Sequence, residues 1–295
     1  MTTSGDSGLP TDATPADATL AEEAPAAAAP AVATPAEAAP SGGGKRALVR
    51  RPVDILAEGQ ITHIDRVPID LELARSQWEG YVAALQAAGW ATTEVAPAPD
   101  QPDSVFIEDA VILFGGTAVV ASPGAPSRRG ETAAAEAAVR DLGLTVHRLE
   151  SPGTLDGGDV LKVGRTVYVG QSLRTNAEGA AQLAAIVEPL GNTVVMVPVT
   201  RALHLKTAIT ALPDGTIIGY PPLVDDSGLF AKFLPVPEAE GTAVVILDEN
   251  TLLMSAAAPQ TAELLTGLGY RTVTVDITEF EKLEGCVTCL SVRVR

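Results

Sequence analysis

The chain has 295 residues and a formal net charge of −17, from 20 Lys and Arg against 37 Asp and Glu. So acidic a body offers no basic face for phosphates, which excludes nucleic acid as a partner, but it suits a small cationic ligand. No apolar run is long enough to span a bilayer, and two cysteines three positions apart make no disulfide framework, so a reducing cytoplasm is the expected compartment.

Residues 1–44 are mostly Ala, Pro, Thr, Ser and Gly, with no Phe, Tyr, Trp or Ile. Such a stretch cannot bury enough apolar surface to offset chain entropy, so it is expected to be a disordered tail. It lacks the basic start and continuous apolar stretch of a secretory signal. Residues 45–295 are rich in Val, Ile, Leu and Ala and are expected to form one α/β domain.

Within that domain a pattern repeats about every fifty residues. A strand at 109–113 turns at Gly115-Gly116 into 117–121, and a helix at 131–142 and a strand at 144–149 follow. The second copy runs through strands 159–163 and 166–170, helix 178–190 and strand 193–197. Two weaker copies start at Ala208 and Ala243, the latter ending in helix 259–268 and strand 271–275. Gly-Gly, Asp-Gly and Gly-x turns between β-branched runs are hairpin signals, and the glycines after the helices suit C-terminal caps. Each end of the domain carries half a unit: strand 47–50 with helix 71–88, and strand 289–294. Pairing them closes the ring and leaves no exposed edge, in preference to an open α/β layer.

Polar clusters fall at equivalent points of the repeat. The first copy carries Asp103, Glu108, Asp109 and Arg128, and the second Asp156, Asp159 and Arg174. The third opens with His204, and the closing half-unit holds Cys289. In a ring these loops converge on one mouth. A free thiol must be activated to attack at neutral pH, and a cationic substrate or a histidine can stabilise the thiolate. Glu108 and Asp109 follow an apolar run, where two charges are costly unless they meet a cation; a guanidinium has donors matched to two carboxylates. The spacing Cys286-x-x-Cys289 also matches half a zinc site or a thiol-redox motif. Zinc lacks a second ligand pair, and a redox pair should open a helix, whereas these residues lead into a strand.

The segments 103–109 (DSVFIED), 123–129 (PGAPSRR), 155–160 (LDGGDV), 174–176 (RTN), 203–206 (LHLK) and 288–291 (TCLS) resemble the dimethylarginine dimethylaminohydrolase family, in collinear order from about Arg46 to the end. The resemblance implies a five-bladed α/β propeller of ββαβ repeats with pseudo-fivefold symmetry. It also implies hydrolysis of asymmetric dimethylarginine or monomethylarginine to citrulline and a methylamine. Under it Cys289 is the nucleophile that forms a covalent thiouronium, His204 the proton carrier and Asp156 the acid supporting it. Glu108 and Asp109 would bind the guanidinium, Asp103, Arg128 and Arg174 the amino-acid end, and the main chain at Leu283 would touch substrate. No metal or organic cofactor is implied; a homodimer is compatible with it. The lid would lie near residues 59–64, where His63 is expected to face solvent, and Cys286 receives no role. The enzymatic alternative is an arginine deiminase-like hydrolase of free arginine or a related guanidine; a binding module of the same ring shape would lack the Cys, His and acid set.

Overall fold

The computed structural model describes residues 44–294, so the tail expected over residues 1–44 lies outside the described residues apart from Gly44. Chain order begins with β1 (Arg46–Val49), α1 (Leu71–Ala87) and β2 (Ala91–Glu94). Then come β3 (Val111–Phe114), β4 (Thr117–Val120), α2 (Thr132–Asp141) and β5 (Thr145–Arg148). The next unit is β6 (Val160–Val163), β7 (Thr166–Gln171), α3 (Ala177–Val187) and β8 (Thr193–Pro198). It is followed by α4 (Leu205–Ala208), β9 (Ile209–Ala211), β10 (Ile217–Gly219) and β11 (Phe233–Pro235). The chain finishes with β12 (Val244–Asp248), β13 (Thr251–Ser255), α5 (Pro259–Gly267), β14 (Arg271–Val275), α6 (Thr278–Glu281) and β15 (Val292–Val294).

These strands form five three-stranded sheets, the blades of a five-bladed α/β propeller. In four of them the first strand pairs antiparallel with the second across a hairpin, and the second pairs parallel with the third. A two-residue turn suffices for a hairpin, as at Gly115-Gly116; the parallel pairing needs a crossover, which a helix supplies in four of the five blades. Gly115 and Gly164 sit in the hairpins at φ of +56° and +57°, a left-handed region where a side chain is strained. Helices α1 and α3 start where Asp70 and Asn176 accept from the N–H groups of Leu73 and Gly179 at 3.0 and 2.8 Å.

The first blade is assembled from both ends of the domain. β15 pairs antiparallel with β1, Ala47 opposite Arg293, and β1 pairs parallel with β2. The ring is therefore closed by hydrogen bonds, as the two half-units require. Apolar side chains fill the spaces between sheets and helices; Leu48, Val111 and Val292 share one such cluster across the join.

Three details depart from the sequence reading. Glu108-Asp109 and Asp159 do not open strands but lie in 3₁₀ turns, Ile107–Asp109 and Gly157–Asp159, just before β3 and β6. Cys289 likewise precedes β15 in a turn closed by its N–H on the Cys286 carbonyl at 3.1 Å. The fourth blade has no crossover helix: Pro221, Pro222 and Gly228 break the segment, and short 3₁₀ turns carry it to β11. β11 and β2 were invisible as separate strands, being short and partly exposed.

Tyr81 ties α1 to the loop that carries Cys289. Its buried hydroxyl donates to the Val287 carbonyl at 2.9 Å and lies 2.7 Å from the Ser291 hydroxyl. Tyr81→Phe strands a buried acceptor and is expected to lower the free energy of unfolding by about 1–3 kcal/mol, read from urea denaturation.

Candidate active site

Within a blade the start of the first strand and the end of the second lie at the same end of the sheet, because the two are antiparallel. Asp109, Asp156 and Cys289 stand just before first strands, His204 caps α4 ahead of β9, and Arg128 and Arg174 follow second strands. All six meet at one mouth of the ring. The pocket there is lined by Asp103, Asp109, Arg128, Arg174, His204 and Cys289, with Leu283 and Gln60 at its edge. Asp156 lies directly behind, fully buried.

His204 is held between two carboxylates. Its Nε2 is 3.1 Å from Asp156 Oδ2, and its Nδ1 is 3.9 Å from Asp109 Oδ1. Burial opposes charge on the ring, but Asp109, the hydrogen bond to Asp156 and the buried Asp159 outweigh it and raise His204 to about 9. The imidazolium is therefore the resting form at neutral pH. Asp109 is also buried, but His204, Arg128 and the Gly158 N–H hold its carboxyl down at about 2. Asp159 contributes charge from outside the pocket: it accepts from Ser172, Thr175 and the Leu205 N–H at 2.6, 2.7 and 2.8 Å, and so anchors the start of α4 beside His204.

Gly158 has no room for a side chain. A Cβ there would stand 2.6 Å from His204 Nδ1 and 2.7 Å from Asp109 Oδ1. The Gly157-Gly158 turn thus exists to let backbone approach the acid–histidine pair.

The two arginines differ. Arg128 is buried and its fork is filled, with Nη1 on Asp109 Oδ2 at 2.7 Å and Nε and Nη2 on Glu131 at 2.9 and 2.8 Å. Its geometry braces Asp109 rather than leaving a fork open at the amino-acid end. Arg174 donates through Nη2 to Gln60 Oε1 at 2.9 Å, while its buried Nη1 has no hydrogen-bond acceptor and only Asp156 at 3.6 Å. A buried guanidinium with an unfilled donor is a ready place for a carboxylate.

Glu108 requires a correction. Its carboxylate does not line the pocket beside Asp109, because Lys206 and Arg293 each draw Oε1 to 2.7 Å. It lines instead a separate cavity of about 210 Å³ along the ring axis, among Lys162, Thr210 and Ser291. Asp109 and Glu108 are adjacent in sequence yet point into different spaces.

Cys289 is buried at the pocket floor, its sulfur 3.3 Å from Cys286 Sγ. That contact, burial and the charges of Asp109 and Glu108 push the Cys289 thiol well up, while the same contact lowers Cys286. The loop at residues 59–64 lies against the mouth. The Gln60 N–H reaches Asp103, its amide reaches Ser127 and Arg174, and the Glu284 carboxylate accepts from the N–H groups of Thr62 and His63. Glu284 adopts φ of 59°, a strained conformation for a non-glycine residue beside a site. The His63 side chain is exposed. Gln60, Glu131 and Glu284 carried no periodic or motif signal; only Glu131, three residues after Arg128, could have been suspected. Asp109, Asp156 and His204 also bring donor atoms within 4.8 Å of one another, close enough for a metal ion. The neighbouring Arg128 and the hydrogen bonds already made to both carboxylates disfavour a cation there.

A model of the arginine deiminase family matches residues 91–258. A dimethylarginine dimethylaminohydrolase of Streptomyces coelicolor is 61% identical over 251 residues, covering 85% of this chain and 97% of that protein. Its counterpart in Pseudomonas aeruginosa is 37% identical over 254 residues, with 84% and 99% covered. Among solved structures, a dimethylarginine dimethylaminohydrolase bound as an adduct with S-methyl-L-thiocitrulline superposes with a TM-score of 0.79 at 34% identity, over 85% of this chain and 100% of that one. A cysteine-to-serine mutant of the Pseudomonas enzyme in complex with citrulline gives 0.79 at 35% identity, with 85% and 99% covered. The closed five-bladed ring, the acid–histidine–cysteine mouth and these relatives agree: the chain belongs to the dimethylarginine dimethylaminohydrolase family of the pentein superfamily.

Proposed function

We propose that the protein hydrolyses Nω-methylated arginines, asymmetric dimethylarginine and monomethylarginine, to citrulline and dimethylamine or methylamine. The observation that carries this reading is the pairing, in one pocket, of a carboxylate and a thiol with an arginine whose Nη1 lacks an acceptor. A methylarginine has a guanidinium for Asp109 and a carboxylate for Arg174. The second reading, deimination of free arginine, is favoured by the arginine deiminase match and uses the same groups.

The chemistry follows from the charges. In the free pocket the Cys286 contact, burial and, after them, the charges of Asp109 and Glu108 disfavour a thiolate at Cys289. A bound guanidinium neutralises Asp109 and favours the thiolate, so the substrate activates its own nucleophile. The thiolate attacks the guanidinium carbon, and a C–S bond forms. The His204 imidazolium gives its proton to the departing methylamine as the C–N bond breaks, leaving a thiouronium on Cys289. Asp156 fixes the ring orientation and stabilises its charge. Neutral His204 then takes a proton from water as the oxygen attacks the same carbon; the C–S bond breaks and citrulline leaves. Arg128 keeps Asp109 ionised and in place, and Asp103 holds the lid through Gln60 and meets the substrate amino group.

Citrulline release from asymmetric dimethylarginine and, separately, from arginine is the deciding assay. Release from the methylated substrate alone, reduced on the order of 10⁴- to 10⁶-fold in Cys289→Ser, is the expected result; release from arginine alone establishes the second reading, and release from neither sinks both. In Arg174→Ala, KM is expected to rise roughly 10- to 100-fold with a smaller change in kcat, since a charge-assisted hydrogen bond contributes about 1.5–3 kcal/mol.

The pH dependence has a definite sign. His204 rises in the folded state from 6.5 to about 9, so its stabilising contribution is complete below pH 6.5 and is lost as pH rises through about 9. Unfolding free energy should fall over that window in the wild type and stay flatter in His204→Gln. Turnover should decline in the same alkaline range, as the imidazolium acid is lost; a wild-type stability profile indistinguishable from that of the variant would overturn the assignment.

A further inference from the structure

Cys286 lies against Cys289, and the proposed reaction gives it no work. It is half-buried, and its sulfur is 3.3 Å from Cys289 Sγ and 3.3 Å from the Thr288 hydroxyl. Both cysteines are free thiols. Residues 286–289 form a four-residue turn closed by the Cys289 N–H on the Cys286 carbonyl at 3.1 Å. A turn of this kind holds its end Cα atoms within about 7 Å, and a disulfide needs a Cα separation of about 4.4–6.8 Å. The two sulfurs can therefore bond by side-chain rotation, with no travel of the backbone. The turn runs into β15 rather than opening a helix, so the pair lacks the helix N-terminus that makes a thiol-oxidoreductase thiol acidic. Its reach is confined to its own site.

We propose that Cys286 is a resolving cysteine: oxidation of Cys289 by a hydroperoxide is captured as a Cys286–Cys289 disulfide, which switches the enzyme off reversibly. The hydroperoxide enters by the substrate pocket, which Cys289 lines. The Cys289 sulfur attacks one peroxide oxygen; the S–O bond forms, the O–O bond breaks, and the departing oxygen takes a proton and leaves as alcohol or water. Cys289 is then a sulfenic acid. The Cys286 sulfur attacks it, the S–S bond forms, and the hydroxyl leaves with the thiol proton as water. In balance, two thiols and one hydroperoxide give one disulfide, one alcohol or water, and one water. A dithiol reverses the change by exchange, returning both thiols.

The capture matters because a sulfenic acid left alone proceeds to sulfinic acid, which a dithiol does not reduce. The ring so closed spans only four residues, so it constrains the unfolded chain little. That favours a bond made and broken in use over a structural staple. That the disulfide silences the enzyme rests on Cys289 being the nucleophile; that it forms does not.

The test treats wild type and Cys286→Ser with hydrogen peroxide and then with dithiothreitol. Peptide masses, free thiols and citrulline release are followed against each protein's own untreated activity. In the wild type the peptide holding both cysteines should lose two hydrogens, the free thiols should vanish together, and dithiothreitol should restore thiols and activity fully. In Cys286→Ser, peroxide should leave sulfinic acid on Cys289 and a loss of activity that dithiothreitol does not reverse. A wild type that overoxidises Cys289 as fast as the variant, or that loses activity with Cys286 still a free thiol, overturns the proposal. Should Cys286→Ser fail to fold, the wild-type peptide masses decide alone. A disulfide that forms in a protein without hydrolase activity upholds the cysteine pairing and sinks only the functional reading.

Discussion

The pairing of β15 with β1 is the constraint on which the site depends. Cys289 is near the end of the chain, His204 some eighty residues before it, and Asp109 a further ninety before that. Nothing local brings them together. Each belongs to a different blade, and the blades face a common axis only because the last strand is stitched antiparallel to the first described one. An open array of the same units would leave β1 and β15 as edges and carry Cys289 away from the mouth. The Tyr81 hydroxyl, set between Val287 and Ser291, extends that closure to the turn holding the nucleophile.

Given the ring, the chemistry of the mouth is set by how buried charge is balanced. Asp109, Asp156, Asp159, Glu131, Arg128 and His204 are all nearly inaccessible to water. Isolated charges at such depth would shift to their neutral forms. Asp109 keeps its charge because His204, Arg128 and the Gly158 N–H hold its carboxyl down, and Asp156 is hydrogen-bonded to His204 and the Gly124 N–H, whereas burial raises Asp159 and Glu131. The balance leaves His204 protonated and Asp109 ionised, while the Cys286 contact, burial and the nearby carboxylates hold the Cys289 thiol up. The states of His204, Asp109 and Cys289 arise from one electrostatic arrangement. The glycines at 157 and 158 are part of it, since a side chain at 158 would strike His204 and Asp109, and one at 157 the Glu108 backbone.

Much of the fold was legible because its signals are local. Val- and Leu-rich strands around Gly115 and Gly164 read as hairpins, and the helices after them showed normal caps. The strands that escaped, β2 and β11, are short and only partly buried, so alternation in them is weak. The fourth blade lost its helix to Pro221, Pro222 and Gly228, residues visible in the sequence but unassigned there. For the site, motif wording picked out the residues that meet at the mouth, Asp156 and His204 included. It could not separate Glu108 from Asp109: adjacent positions in a 3₁₀ turn point in different directions, and only the cations Lys206 and Arg293, from two distant segments, decide where Glu108 turns. Nor could it tell Arg128, whose fork Glu131 and Asp109 fill, from Arg174, whose Nη1 has no hydrogen-bond acceptor.

By itself, then, the sequence determined the secondary elements, their fivefold repetition and the inventory of reactive groups, because hydrophobic period, turn residues and side-chain chemistry are properties of short segments. Tertiary structure alone decided which of those groups share a pocket, which charge is spent on bracing another, and which donor is left for a ligand. It also decided that Cys286, a residue with no role in the linear reading, lies against Cys289. Such relations depend on distances between segments far apart along the chain, and those distances do not exist until the ring has closed.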